Sequence, residues 1–255
     1  MSVKLTISGC CGRMGRTIAS LALHDFDSVF SIVAALEAQG HEAIGHDLAG
    51  VLGRSSSLGV KVEADAQAAI SKGDVLIEFT MPEVTVGHVQ LAQALRKPMV
   101  IGTTGLSDAQ QATLLAASKT IPIVFSPNMS LGVNVLFEIA QLAAQRLGQG
   151  YDVEILESHH RAKKDAPSGT AKRLAELVAS ARKQPGDAVP VHAVRAGDIV
   201  GDHTVILAGP SERLELTHRA HNRDVFARGA LKAAQFVVKQ QPGLYDMSDV
   251  LRSRL

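Results

Sequence analysis

The first half of the chain alternates short apolar runs with longer stretches of helical periodicity. Residues 3–8 (VKLTIS) read as a buried strand, and 16–25 (RTIASLALHD) as the helix after it. Further strands are expected at 30–37 (FSIVAALE), 74–80 (DVLIEFT), 98–105 (PMVIGTTG) and 121–126 (IPIVFS), with Pro82 and Ser107 opening the intervening helices. Strands alternating with helices predict a parallel sheet covered on both faces. The pattern changes after Pro127. A long helix is expected at 130–148, an alternating strand at 151–160, and a helix at 170–183 with Ser168 as N-cap. Three runs follow, 189–197, 202–209 and 212–220, which read as successive antiparallel strands turning at Gly201 and Pro210; a helix at 226–240 follows them. The expected fold is therefore α/β. A Rossmann-type dinucleotide-binding domain (1–127 and 228–255) encloses an inserted α+β domain (128–227) with a mixed, largely antiparallel sheet.

Composition adds limits. The 255 residues carry 26 Lys and Arg against 25 Asp and Glu, a formal charge of +1. That balance argues against nucleic acid or a membrane surface as a partner, so a basic cluster has local meaning. Neither a membrane-spanning apolar run nor a signal-peptide pattern is expected. The two cysteines, Cys10 and Cys11, are adjacent and cannot close an ordinary loop, which fits a reducing cytoplasm.

The segment SGCCGRMGR follows the first strand and opens the first helix. Gly9, Gly12 and Gly15 are spaced to turn tightly beneath a pyrophosphate, with the helix N-terminus supplying N–H groups. Glu37, at the end of the second strand, is placed to accept ribose hydroxyls. A glycine-rich turn without a ligand is the competing reading, and the strand-loop-helix context favours a nucleotide. The cysteines read as small turn-filling residues, although a helix N-terminus lowers a thiol pKa. GTTG (102–105) and SPNM (126–129) lie just past two further strands, where ligands of such sheets bind.

The segment ESHHRAKKDAPSGTAKRL (157–174) crowds His159, His160, Arg161, Lys163 and Lys164 before a Ser168-Gly169-Thr170 helix start. Free N–H groups and hydroxyls at that turn form a seat for a carboxylate, and a histidine passes protons near neutral pH. The combination points to a small carboxylate held beside a proton donor. Solvated lysines and a simple cap are the plainer reading. No metal is expected, because neighbouring histidines on a strand diverge and no zinc-ligand spacing accompanies them.

HHRAKKDAPSGTA resembles the signature of the 4-hydroxy-tetrahydrodipicolinate (dihydrodipicolinate) reductase family of lysine biosynthesis. GCCGRMGR, EFTMPE, VIGTTG, NMSLGVNVL, VRAGDIVGDH and ELTHRAHNRDVFARGAL match the same pattern, so the resemblance runs from Val3 to the GLYDMSDVL near the end. It implies a homotetramer assembled through sheets of the substrate domain. It implies reduction of a cyclic dicarboxylate by NADH or NADPH, with hydride delivered to ring C4. It implies His159 as proton donor and acceptor, Lys163 as a second proton donor, and His160, Gly169 and Thr170, beside Ser168, as dicarboxylate ligands. Gly9, Cys10, Cys11, Gly12, Arg13, Met14, Glu37, Gly102, Thr103, Thr104, Ser126, Pro127, Asn128 and Met129 would line the cofactor. Where relatives often carry an arginine to grip a 2′-phosphate, this chain has Ala38, so NADH is expected to be favoured and NADPH also accepted. The rival readings are another Rossmann-type amino-acid-pathway dehydrogenase and a non-catalytic nucleotide sensor.

Overall fold

A computed structural model describes residues 2–253. Residues 1, 254 and 255, assigned above to the dinucleotide-binding domain, lie outside the described residues. The chain divides into two compact units, Met1–Met129 with Asp224–Leu255, and Ser130–Arg223.

The first unit runs β1 (Val3–Ser8), α1 (Arg13–His24), β2 (Phe30–Leu36), α2 (Leu48–Val51), β3 (Val62–Glu63), α3 (Ala66–Lys72), β4 (Val75–Glu78), α4 (Pro82–Ala94), β5 (Met99–Ile101), α5 (Asp108–Ser118) and β6 (Pro122–Phe125). Its seven strands are parallel, in the order β11-β6-β5-β4-β1-β2-β3, with β11 contributed by the end of the chain. The strands are apolar on both faces because helices cover both. All four residues of β4 are buried, as are the last four of β1. Strand order reverses between β1 and β4, which puts the crevice for a ligand past the ends of these two strands. Helix starts follow local chemistry: Pro82 occupies the first turn of α4, and Ser107 with Gln110 forms a capping box for α5.

The second unit runs α6 (Leu131–Leu147), β7 (Asp152–His159), α7 (Gly169–Ala181), β8 (Val191–Arg195), β9 (Gly201–Ala208) and β10 (Arg213–Ala220). The chain then returns to the first unit as α8 (Asp224–Val237), β11 (Gly243–Tyr245) and α9 (Met247–Arg252). The second sheet has the order β10-β9-β7-β8. Leu136, Ala140 and Ala144 of α6 and Leu174, Val178 and Ala179 of α7 pack with Val153, Ile155, Val205 and Leu207 of the sheet. Burial alternates strictly along β7 and β9, so helices cover one face of this sheet and leave the other open.

The sheet is mixed, as expected, but one pairing differs from the sequence reading. The run 189–197 does not begin an antiparallel meander. β8 crosses over through α7 and pairs parallel with β7, while β9 pairs antiparallel with the other side of β7. The helix between β7 and β8 is the physical reason, since a strand-helix-strand connection delivers the second strand parallel to the first. Gly201 accordingly starts β9 instead of forming a turn.

Candidate active site

The chemistry of the second unit gathers at the end of β7. Alternation along the strand buries Glu157 and His159 on the helix-covered side. Parallel pairing with β8 sets Arg195 opposite His159, and antiparallel pairing with β9 sets His203 opposite Glu157. Glu157, fully buried, is the hub. Its Oε2 lies 2.5 Å from His159 Nδ1, and Arg195 grips both carboxylate oxygens, at 2.9 Å through Nη1 and 2.8 Å through Nη2. The Ser168 N–H donates to Oε1 at 3.0 Å. Burial disfavours the Glu157 anion, but the hydrogen bonds from Arg195, His159 and Ser168 outweigh it and hold its pKa below the ordinary carboxylate value.

That anion orients the imidazole. With the Nδ1 proton donated to Glu157, Nε2 is the working nitrogen of His159. A Cβ at Gly201 would come within 3.1 Å of Nε2, so this atom lies against the backbone of β9. The His159 pKa is lowered. Burial is the main cause, Glu157 opposes it, and the positive charges of Lys163 and Arg195 add to it. His203 meets His159 edge to face, with ring centroids 5.2 Å apart, and lies 3.2 Å from Ser168 Oγ through Nε2. Burial, then the nearby His159, push His203 down to about 4. Among the described residues, His203 Nδ1 and Arg195 Nε have no hydrogen-bond partner.

The turn after β7 completes the cluster. Ser168 caps α7, its Oγ accepting from the Ala171 N–H, with Gly169 exposed and Thr170 half-buried in the first turn. Lys163 pairs with Asp165 at 2.9 Å, and the Asp165 carbonyl accepts from Arg195 at 2.6 Å. His160, just past the strand, is half-buried. The structure therefore brings His159, Lys163 and Ser168 into one network. It adds Glu157, Arg195 and His203, which the sequence reading did not single out. The HH motif draws attention to the histidines, but the Glu157–Arg195 contact spans 38 residues and appears only through β7–β8 pairing.

In the first unit the glycine loop joins β1 to α1. The Gly12 N–H donates to the Gly9 carbonyl at 2.9 Å, closing a tight turn over Cys10 and Cys11. Gly15 is obligatory: a Cβ there would lie 2.1 Å from that carbonyl oxygen. No side chain caps α1, which leaves its first-turn N–H groups available to an anion. Glu37 reaches the loop from the end of β2, accepting from the Cys11 N–H at 2.9 Å and the Ala38 N–H at 3.0 Å. Arg13 and Thr104 are exposed, and Met14 is half-buried. Cys10 is fully buried, so its side chain faces the interior, and burial raises its thiol pKa instead of the helix end lowering it. Thr103 is also interior, with its Oγ1 2.8 Å from Thr85 Oγ1. Gly102 lies at the end of β5; Pro127 is exposed and Asn128 half-buried; Ser126 Oγ donates to the Asn128 carbonyl at 2.8 Å; Met129 is buried.

Beside the loop, Glu78 ends β4 fully buried. Its carboxylate accepts from the N–H and hydroxyl of Thr80 and lies 2.5 Å from His88 Nδ1, which is 3.4 Å from Ser8 Oγ. The ends of β1 and β4, at the reversal point of the sheet, are thus tied to one buried carboxylate.

Family models for the N-terminus and C-terminus of dihydrodipicolinate reductase match residues 3–129 and 132–251. A 4-hydroxy-tetrahydrodipicolinate reductase of Syntrophus aciditrophicus is 44% identical, with 99% of each chain covered. One from Magnetococcus marinus is 45% identical, with 98% of this chain and 99% of that one covered. A solved dipicolinate-bound dihydrodipicolinate reductase from Paenisporosarcina sp. TG-14 superposes with a TM-score of 0.79 at 27% identity, covering 96% of this chain and 98% of that one.

Proposed function

The chain belongs to the dihydrodipicolinate reductase family, and from that premise we propose how its own residues carry the reaction. It is an oxidoreductase of lysine and diaminopimelate biosynthesis that forms tetrahydrodipicolinate from the 4-hydroxy-tetrahydrodipicolinate precursor, the 4-hydroxyl leaving as water and the resulting dihydrodipicolinate ring taking up one hydride and one proton. The observation that carries the mechanism is the buried Glu157 carboxylate locked on His159 Nδ1.

The first unit is the nicotinamide-binding domain. The uncapped N-terminus of α1 and the Gly9–Gly12 turn fit a pyrophosphate, and Glu37 retains acceptor capacity for adenosine ribose hydroxyls. When bound there, the reduced nicotinamide supplies a hydride to ring C4. Gly102 and Thr104, at the end of β5, and Ser126 to Met129, after β6, follow strands whose carboxyl ends face the same crevice. NADH is the favoured cofactor and NADPH is accepted. Glu37 repels a 2′-phosphate, Ala38 brings no charge, and exposed Arg13 offsets part of that cost.

The second unit binds the dicarboxylate. The N-terminus of α7, with Gly169 and Thr170 in its first turn, receives one carboxylate, and His160 and Lys163 add hydrogen-bond donors. Hydride addition builds electron density on the ring, and His159 Nε2 delivers the proton that quenches it. A bound dianion raises the depressed His159 pKa, so substrate loading itself favours the protonated acid. Lys163 leaves Asp165 to act as the second proton donor. The open face of the second sheet forms the tetramer contact, and two free cysteines suit a cytoplasmic enzyme. The test is a coupled assay. The condensation product of pyruvate and aspartate semialdehyde is supplied with NADH, and loss of nicotinamide absorbance is followed. Rapid oxidation by the unaltered chain that Glu157→Gln slows is expected. No oxidation would sink the proposed reaction, and an unslowed variant would sink the role given to Glu157.

A further inference from the structure

The glycine loop carries two thiols to which the reduction gives no chemical role. Cys10 Sγ and Cys11 Sγ lie 3.9 Å apart. Glu37 contributes a carboxylate oxygen, and the three donor atoms all lie within 4.8 Å of one another. We propose that Cys10, Cys11 and Glu37 form a chelating site for a borderline-soft divalent cation, Zn2+ or the chemically similar Cd2+, overlapping the nucleotide site.

Three features of the geometry support it. First, neighbouring cysteines on a strand diverge, but these occupy the centre of the turn closed by Gly9 and Gly12, which brings both sulfurs to one side. Second, the spacing fits a metal. Two thiolates about 2.3 Å from a tetrahedral zinc stand about 3.8 Å apart. A disulfide would require the sulfurs to close to about 2.05 Å, whereas a cation spans them almost as they stand. Third, Glu37 is already aimed. Its Oε2 accepts from the Cys11 N–H and its Oε1 from the Ala38 N–H, which fixes the carboxylate while each oxygen keeps a lone pair for a cation. Cys10 is the interior ligand, Cys11 and Glu37 are half-buried and give the entry path, and water completes four-coordination.

The two thiols and one carboxylate make a donor set for zinc-like ions and a poor one for Mg2+ or Ca2+, which take oxygen ligands. Without a cation the two thiols stay protonated, because burial pushes both Cys10 and Cys11 above their ordinary value. The proposed consequence is mutual exclusion. A cation withdraws the Glu37 oxygens assigned to the adenosine ribose and draws the Cys11 sulfur across the turn. This exclusion, but not the site itself, rests on the proposed nucleotide position.

The test uses the full chain stripped of nicotinamide, with Cd2+ as probe for its thiolate-to-metal charge-transfer absorbance and Zn2+ by equilibrium dialysis for stoichiometry. One cation per chain is expected, with Cys10→Ser and Cys11→Ser each weakening it by at least about tenfold, Glu37→Gln weakening it also, and saturating NADH displacing it. Circular dichroism identifies variants that remain folded, and if Cys10→Ser does not, Cys11→Ser at its half-buried position decides. No charge-transfer band, or an unchanged affinity in a folded cysteine variant, overturns the site. Cysteine-dependent binding that NADH leaves unchanged overturns the exclusion. NADH binding to the metal-free chain, read separately by fluorescence, distinguishes these failures from failure of the nucleotide reading.

Discussion

His159 shows how much one contact can decide. An imidazole near its ordinary pKa is an indifferent acid until one nitrogen is fixed, and Glu157 fixes Nδ1 at 2.5 Å. His159→Gln should lower kcat by about 10²–10⁴-fold with a smaller effect on KM, measured by steady-state kinetics; a folded variant with unchanged kcat would remove His159 from the mechanism. Because burial depresses its pKa, kcat/KM for the free enzyme should fall with rising pH from a break below the ordinary 6.5. Glu157→Gln should move that break further toward acid, because the anion that supports the imidazolium is gone. His203 gives a stability effect with a definite sign. Its pKa falls from 6.5 in the unfolded chain to about 4 in the fold, so the unfolded chain binds more protons between those values. Its stabilisation is complete above about 6.5 and is lost as the pH falls toward about 4, on the order of 3 kcal/mol. Denaturant unfolding at several pH values should show a shallower acid loss in His203→Gln than in the unaltered chain; equal slopes would clear His203 of this role. The proposed cofactor preference rests on Glu37, Ala38 and Arg13. NADH should exceed NADPH in kcat/KM by about 1–2 kcal/mol, about the worth of one exposed charge-assisted contact, and Ala38→Arg should improve NADPH alone. A clear NADPH preference in the unaltered enzyme would refute the account of Glu37 and Ala38.

At the level of elements, the loops that follow β1 and β4 are held by a carboxylate in the interior. Glu78 binds the Thr80 N–H, the Thr80 hydroxyl and His88, and His88 reaches Ser8 at the end of β1. Glu78→Ala should release both strand ends and raise KM for NADH by roughly tenfold, the cost of one charge-assisted hydrogen bond, with KM for the dicarboxylate nearly unchanged. Equal increases in both constants would instead indicate general damage. Sequence reading saw the strand carrying Glu78 but not this role, because the partners sit on β1 and α4 and no local pattern couples them. The same limit explains the other differences. The five parallel strands at 3–8, 30–37, 74–80, 98–105 and 121–126 are legible because burial on both faces writes continuous apolar runs. β3 and β11, with two and three residues, are too short to leave a period. The direction of β8 is invisible because alternation records which face a residue takes and not which neighbour it pairs with; the helix at 170–183 carried the missing information. His159, Lys163 and Ser168 were legible as one dense segment, whereas Arg195 and His203 reach that segment only through pairing of β8 and β9 with β7.

For the whole molecule, the open face of the second sheet bears on assembly. Outward residues of β7 and β9 alternate with core residues, and register fixes their companions. Leu156 pairs with Thr204, and Ser158 with Val194, on the side away from α6 and α7. Leu156 and Val194 are 38% and 40% exposed, and Ile206, opposite Glu154, is half-buried on the same face. An apolar centre on a bare sheet face is what a subunit contact needs. Polar pairs flank it, with Thr204 and Thr217 hydroxyls 3.0 Å apart and His192 2.6 Å from Glu154. In a homotetramer built through these sheets, Leu156 would face another copy and lose its exposure. Leu156→Glu places a charge in that contact without touching the helix-covered side, where the packing of Val153, Ile155 and Val205 holds the unit together. It should therefore dissociate the proposed tetramer while leaving the fold intact, with circular dichroism unchanged and mass by sedimentation or light scattering falling toward dimer or monomer. Leu142→Glu, on exposed α6, is the control that should leave the mass unchanged. A tetramer that survives Leu156→Glu but falls apart with the α6 variant would move the contact from the sheet to the helix.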